Sequence, residues 1–317
     1  MKLVTYVLGG DVRLGAVEGA SIIDLNRAYA SLQRNGGNPA AQASTDAVVP
    51  TDVVKFLALG DRALDAAREA VGYANSLDPD RARRSLTTVS VEDVELLPPV
   101  PNPPKIICVA RNYAEHAREA GLQISEIPIV FARFADTLVA DGGAVIRPIV
   151  SEQLDWEGEL AVIVGKRGRH IAREVAMDHI AGYSIFNDVT VRDYQFRVTQ
   201  YTSGKNFAAS GPFGPYLVLK DEVPDPHNLE ITTEVNGVVK QRGNTSDMIY
   251  DLPTILEHIS EWIAIEPGDV IATGTPSGVG FKRDPPEFLR PGDEVAVTVS
   301  LLGTLTNPVR AEEDSRR

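Results

Sequence analysis

Leu154-Asp155-Trp156-Glu157-Gly158-Glu159-Leu160-Ala161-Val162-Ile163-Val164 passes from alternating acids straight into an apolar, β-branched run. The run predicts a core strand. Side chains on a strand alternate faces, so Asp155, Glu157 and Glu159 are expected on one face, neighbours about 6–7 Å apart. An alternating acidic and apolar strand is usually a half-solvated sheet face. Three carboxylates crowded at the mouth of a core strand also repel one another unless something positive sits among them. The simplest such object is a divalent cation. Gly158 stands between the two glutamates, where a strand glycine often marks the close approach of another backbone or a ligand. Further along, Asp188 follows an apolar run at 180–186 and opens Asn187-Asp188-Val189-Thr190-Val191-Arg192-Asp193, so another oxygen ligand is available. Ligands that are all oxygen point to a hard ion such as Mg²⁺ or Mn²⁺ rather than to zinc.

Around this stretch the chain reads as soluble and two-part. Its 317 residues exceed the usual single-domain size, so one large and one smaller domain are expected. A formal charge of −13 argues against a nucleic-acid partner, whose phosphates need a basic footprint. The single cysteine, Cys108, excludes an internal disulfide and fits a reducing cytoplasm. Its neighbours Ile106, Ile107 and Val109 mark it as a buried, inert thiol. The N-terminal apolar stretch is broken by Gly9-Gly10-Asp11, too soon for a signal peptide, and no run has the length of a membrane span.

Residues 1–25 alternate apolar and polar around Gly-rich turns and predict three short strands. Helical patterns follow at 25–33 and 51–71, the second capped by Thr51 or Asp52, with a polar loop at 35–46 between them. Residues 98–104, Pro-Pro-Val-Pro-Asn-Pro-Pro, are stiff and extended. They divide a small N-terminal α+β domain (1–97) from a larger one (105–317). Within the latter, residues 105–110 read as a buried strand and 112–120 as a short helix, with Asn112 and Glu115 at capping-box spacing. Asn236-Gly237 signals a two-residue hairpin, and Pro-Gly-Asp at 267–269 and 291–293 signals two type II turns that each launch a strand. This α+β, mainly β pattern predicts a rolled or barrel-like sheet rather than a doubly wound one.

Three further groups carry chemistry. In Arg111-Asn112-Tyr113-Ala114-Glu115-His116-Ala117-Arg118-Glu119, His116 and Glu119 are i,i+3 neighbours on a helix. A carboxylate holding one imidazole nitrogen makes the other a better base, although a surface ion pair is the commoner outcome. The other histidines lack such company and read as structural. Lys205, between Gly204 and Asn206, is either solvated or a fixed positive charge for a carboxylate or enolate. The small-residue stretch from Thr273 to Gly280 follows a strand, where backbone N–H groups can approach an anion. It lacks the Lys-Ser/Thr pair of a phosphate loop.

Taken in order, Asn112-Tyr113-x-x-His116-x-x-Glu119, Asp155-x-Glu157-x-Glu159-Leu160, Asn187-Asp188-Val189-x-x-Arg192-Asp193-x-Gln195, Gly204-Lys205-x-Phe207 and Pro267-Gly268-Asp269-Val270-Ile271-x-Thr273-Gly274-Thr275-Pro276 resemble the fumarylacetoacetate hydrolase family. The resemblance covers about residues 100–310, and the first hundred residues look like the small domain that many members carry. It implies a rolled mixed β-sandwich or barrel, a homodimer, and Glu157, Glu159 and Asp188 as ligands of Mg²⁺ or Mn²⁺. It implies His116 and Glu119 as a water-activating dyad, and Arg111, Tyr113, Arg192, Gln195, Lys205 and Thr275 as groups facing a small oxo acid. Two departures stand out. Phe131-Ala132-Arg133-Phe134 occupies a place where many members have Lys-Pro after the phenylalanine. Val109-Ala110-Arg111 offers no fourth acidic ligand. The activity expected first is metal-assisted C–C hydrolysis of a 3-acylpyruvate-like diketo acid, with Lys205 holding the enolate formed. Decarboxylation of an oxaloacetate-type acid, isomerisation or hydration of an unsaturated oxo acid, and a non-catalytic metal-stabilised binding protein are the alternatives.

Overall fold

The computed structural model describes residues 1–119 and 125–313, leaving aside the side chains at 116, 117 and 119. Strands take 33% of the residues and helices 29%, so the fold is α+β around a sheet core. The core is a twelve-stranded sheet. One end is the N-terminal meander Lys2–Leu8, Asp11–Glu18 and Ser21–Asp24, the three strands expected there, with Thr88–Ser90 added at its edge. Lys2–Leu8 then pairs antiparallel with Gly211–Leu219. From there the sheet continues through Ile180–Asn187, Gly158–Val164, Val270–Ala272 and Ile106–Ala110 to Ile129–Arg133 at the other edge. A separate five-stranded sheet runs in the order Val238–Asn244, Glu230–Val235, Glu294–Val299, Gly303–Ala311 and Val145–Arg147. Both sheets are open, and among the described residues no barrel closes.

Strand Gly158–Val164 is buried along its whole length because the large sheet is a middle layer. Leu160, Val162 and Val164 face one core, shared with Ile231, Val297 and Val299 of the five-stranded sheet. Ala161 and Ile163 face another, shared with Leu25, Phe56, Ala67 and Ala70 of the N-terminal helices. A half-solvated strand would have alternated; burial on both faces requires the continuous apolar run seen here. Gly158 marks a close contact between sheets. A β-carbon there would lie 2.3 Å from Thr233 Oγ1 and 2.9 Å from Val297 Cγ1.

Some local expectations change. The helical pattern at 51–71 is two helices, Val53–Ala58 and Asp61–Ser76, separated at Gly60 with φ of +58°. Asp52 caps the first through the Lys55 amide. A short helix, Ala41–Asp46, lies in the stretch expected to be loop. Asn112 does not cap Ala114–Glu119: its Oδ1 accepts from the Tyr250 amide, and its Nδ2 donates to the Tyr250 and Thr273 carbonyls. Cys108 is buried and unpaired, as expected. Among the described residues, no helix is long and apolar enough to cross a membrane.

Candidate active site

The opening acids divide differently from the expectation of one shared face. Leu154–Asp155 is a separate short strand paired with Thr190–Val191, and the core strand begins only at Gly158. The chain turns out of strand geometry at Trp156 and Glu157, so period-two alternation does not carry through. Asp155 consequently faces away from the cluster. Its carboxylate accepts from Arg192 Nε at 2.8 Å and from the Gly280 and Phe281 amides at 2.7 and 3.0 Å.

Glu157, Glu159 and Asp188 do converge: one carboxylate oxygen from each lies within 4.8 Å of the others, and all three residues are buried. Sheet register accounts for this. Gly158 lies opposite Asn187, so Glu157 and Asp188 leave adjoining strand ends together. The Asp188 amide donates to the Glu157 carbonyl at 2.8 Å, and the Glu157 amide to Asn187 Oδ1 at 3.0 Å.

Cations are built into the cluster. Lys205 Nζ lies 2.6 Å from both Glu157 Oε2 and Asp188 Oδ2, Arg192 Nη1 2.7 Å from Glu157 Oε1, and Arg133 Nη1 2.5 Å from Asp188 Oδ1. Burial pulls the Lys205 ammonium pKa down, but Asp188 and Glu157 outweigh it and hold the group above the usual lysine range, so it is charged. Glu159 is different. Its Oε2 accepts from the Gly274 amide at 2.8 Å, and no side-chain cation among the described residues is bonded to it. Burial, then Asp188 and Glu157, push its carboxyl well above the ordinary range, against the pull of Lys205 and the Gly274 amide. With Asp155, four buried carboxylates face three buried cations, Arg133, Arg192 and Lys205. The surplus of carboxyl groups over cations and the all-oxygen donor set fit a hard divalent cation held by Glu157, Glu159 and Asp188.

These groups line a cavity of about 350 Å³ whose apolar walls include Phe131, Phe196 and Phe281. Arg111, Arg192, Gln195, Lys205 and Thr275, all singled out in the sequence, line it too. Arg111 sits in the left-handed region at φ +60°, its Nη2 donating to Tyr201 Oη at 2.7 Å; strained backbone of this kind gathers at functional sites. Arg192 stacks its guanidinium 4.3 Å from the Phe281 ring centroid, and its buried Nη2 has no hydrogen-bond partner among the described residues. Tyr113 lies elsewhere, on a second cavity with Arg242, Asp247 and Ser277. The Thr275 hydroxyl is already engaged, donating to the Gly158 carbonyl and accepting from Gln241 Nε2. The side chains of His116 and Glu119 lie outside the described residues.

Two groups around the cluster carry no signal in the sequence beyond their type. Arg133 was visible only as a departure from Lys-Pro, and Gln241 sits in a hairpin strand with nothing to mark it. The Gly-rich stretch after Ala272 does present amides to anions, but the anions are the protein's own Glu159 and Asp155.

Residues 105–310 match the model for the C-terminal domain of fumarylacetoacetate hydrolase. The chain belongs to the fumarylacetoacetate hydrolase family. Members of this family similar to the chain are enzymes. It is 40% identical over 277 residues to the mitochondrial oxaloacetate tautomerase FAHD2A of Homo sapiens, covering 87% of this chain and 85% of that protein. It is 42% identical over 265 residues to the oxaloacetate tautomerase YisK of Bacillus subtilis, covering 82% and 87%. A maleylpyruvate hydrolase from Sphingobium sp. SYK-6, solved with a manganese(II) ion and pyruvate, is 27% identical, with a TM-score of 0.72 over 99% of this chain and all of that one.

Proposed function

We propose that this fumarylacetoacetate hydrolase family member is a metal-dependent tautomerase that interconverts the keto and enol forms of a short 2-oxo dicarboxylic acid of the oxaloacetate class. The observation that carries this reading is the 40% and 42% identity to two oxaloacetate tautomerases over more than four fifths of each chain. Tautomerisation needs only two proton transfers and a place for enolate charge, and the cations Lys205 and Arg192 that line the cavity would serve the latter. Mg²⁺ or Mn²⁺ held by Glu157, Glu159 and Asp188 would act as a Lewis acid that eases enolisation. Lys205, charged and buried, faces the same charge as a fixed cation that needs no reorganisation. The Nη2 of Arg192, without a partner among the described residues, is suited to the remote carboxylate, the group that separates a dicarboxylate from a simple 2-oxo acid. We assign proton transfer between C3 and the 2-oxo oxygen to His116, oriented by Glu119.

A second reading, hydrolysis of a 3-acylpyruvate, is favoured by the likeness to the maleylpyruvate hydrolase. It requires His116 to deprotonate water rather than carbon. Dimerisation and a reducing compartment, expected from the family resemblance and from the lone cysteine, belong to the same proposal, and light scattering tests the first. The deciding assay follows the ultraviolet absorbance of enol-oxaloacetate and the release of pyruvate, with Mg²⁺ and with chelator. Metal-dependent acceleration of enol decay without pyruvate is expected. Pyruvate from oxaloacetate would make the protein a decarboxylase, and pyruvate from acylpyruvates a hydrolase. Glu157→Ala is expected to lose metal and turnover together, whereas His116→Ala keeps metal and loses turnover; full turnover by the histidine variant would remove His116 from the mechanism.

A further inference from the structure

We propose that Gln241 is a positioning residue that sets the spacing of the acidic cluster from the opposite sheet, an inference that rests on the reading of Glu157, Glu159 and Asp188 as metal ligands. Gln241 belongs to strand Val238–Asn244 of the five-stranded sheet, opposite Thr233, and is 1% exposed. Its amide crosses to the other sheet. Oε1 accepts from the Gly158 amide at 3.0 Å, while Nε2 donates to Thr275 Oγ1 at 2.8 Å and to the Pro276 carbonyl at 2.9 Å. Only one orientation of the amide serves all three, because the flipped form would set NH₂ against the Gly158 N–H.

The two segments it joins both govern Glu159. Gly158 separates Glu157 from Glu159, and Thr275 follows Gly274, whose amide donates to Glu159 Oε2. The Thr275 hydroxyl donates on to the Gly158 carbonyl at 2.9 Å, closing a ring through Gly158, Gln241 and Thr275. One side chain thus fixes both the backbone that bears Glu159 and the amide that orients its carboxylate. Gly158 makes the reach available, since any β-carbon there would meet Thr233 Oγ1 at 2.3 Å and hold the sheets apart. An amide buried on the inner face beside Thr233 is costly unless fully bonded, and an apolar residue would fill the gap more simply. Gln241 is absent from the lining of the cavity, so it acts through Gly158 and Thr275 and not on substrate. Outer residues that orient metal ligands typically change affinity by about 10- to 100-fold when removed.

The test measures Mn²⁺ binding to chelator-stripped full-length protein by the paramagnetic resonance of the free ion, with melting temperature recorded alongside. Gln241→Met, of similar length and without hydrogen bonds, is expected to weaken Mn²⁺ binding about tenfold or more. Val299→Ala, which removes core volume from the same sheet away from the cluster, is expected to lower the melting temperature and keep the wild-type constant. A wild-type constant in Gln241→Met overturns the proposal, whatever its melting temperature. Glu159→Gln separates the two levels. If it keeps the wild-type constant, or if the wild-type protein binds no Mn²⁺, the ligand reading falls and takes the positioning role with it. If it loses the ion while Gln241→Met does not, only the positioning role falls. Should the methionine variant fail to fold, the exchange rate of the Gly158 amide hydrogen in the wild-type protein decides. Because coupling is reciprocal, saturating Mg²⁺ should slow that exchange about tenfold, and an unchanged rate overturns the proposal.

Discussion

Lys205 concentrates the physics of the site in one side chain. It is 2% exposed and lies within hydrogen-bond reach of two carboxylates that would otherwise be buried together. Removing one partner of a buried ion pair costs about 3–5 kcal/mol, because the charge left behind keeps its desolvation penalty. Lys205→Met is therefore expected to melt well below the wild type in chelator, and to recover part of the loss in saturating Mg²⁺ as the dication replaces the missing charge. Turnover with metal present should fall about 10²–10³-fold, the usual cost of deleting one donor that faces developing oxyanion charge. Thermal melts with and without Mg²⁺, plus the enol assay, check both parts; a chelated variant as stable as the wild type would contradict the charge balance. At this scale the acids were legible because Glu157 and Glu159 stand at the mouth of one apolar strand and Asp188 at the end of another, although a half-solvated sheet face is the commoner meaning of such a pattern. Lys205 was half legible, since a Gly-flanked lysine also fits a solvated turn. Arg133 and Gln241 were not legible at all: their partners are Asp188, Gly158 and Thr275, and nothing local to either residue names those neighbours.

Elements were read well where a local rule decides them and poorly where the rule stops mid-segment. Asn236-Gly237 forms the expected hairpin turn, with φ of +53° and +74°, because both central residues must take left-handed backbone. The acidic run failed as one strand because alternation says which way side chains point only while strand geometry lasts, and it lapses between Asp155 and Gly158. Helix Leu252–Trp262 offers a test at the same scale. Asp251 caps it, with Oδ1 accepting from the Thr254 amide at 3.0 Å and hydroxyl at 2.6 Å, and it also pairs with Arg173. Partial burial raises the Asp251 pKa, but the Thr254 bonds and the Arg173 charge outweigh it and leave the carboxyl below the ordinary range. A depressed folded-state pKa gives stability that is present above the unfolded value and lost as pH falls through the folded one. Asp251→Ala is thus expected to cost about 1 kcal/mol at neutral pH. The gap between variant and wild type should close as pH drops below about 4, the unperturbed aspartate value. Urea titrations at neutral and acid pH measure it, and a gap unchanged across that range would show that the carboxylate's charge contributes nothing.

The whole molecule is knitted by pairings that no local pattern announces. The proline-rich stretch at 98–104 reads as a stiff linker in the sequence. In the structure the Thr5 hydroxyl donates to the Pro99 carbonyl at 2.8 Å, and the Leu97 amide to the Thr5 carbonyl at 2.9 Å, so its start is fastened to the first strand. That strand pairs Lys2 with Val218 and Leu3 with Leu217, extending the sheet that carries the acids. Leu3, Phe56 and Ala67 share one core with Cys108, Ile163 and Phe213. Residues 1–97 therefore cover both an edge and a face of the rest. Removing them would leave strand Gly211–Leu219 with unpaired backbone groups on one side and an apolar surface bared beneath it, the combination that drives edge-to-edge aggregation. A shared core also couples the unfolding of the two parts. The full chain is expected to unfold in a single calorimetric transition whose calorimetric and van't Hoff enthalpies agree, while residues 98–317 expressed alone are expected to be insoluble. A soluble fragment that still binds Mn²⁺, or two separate transitions in the full chain, would instead make residues 1–97 an independent domain resting on a self-sufficient catalytic one.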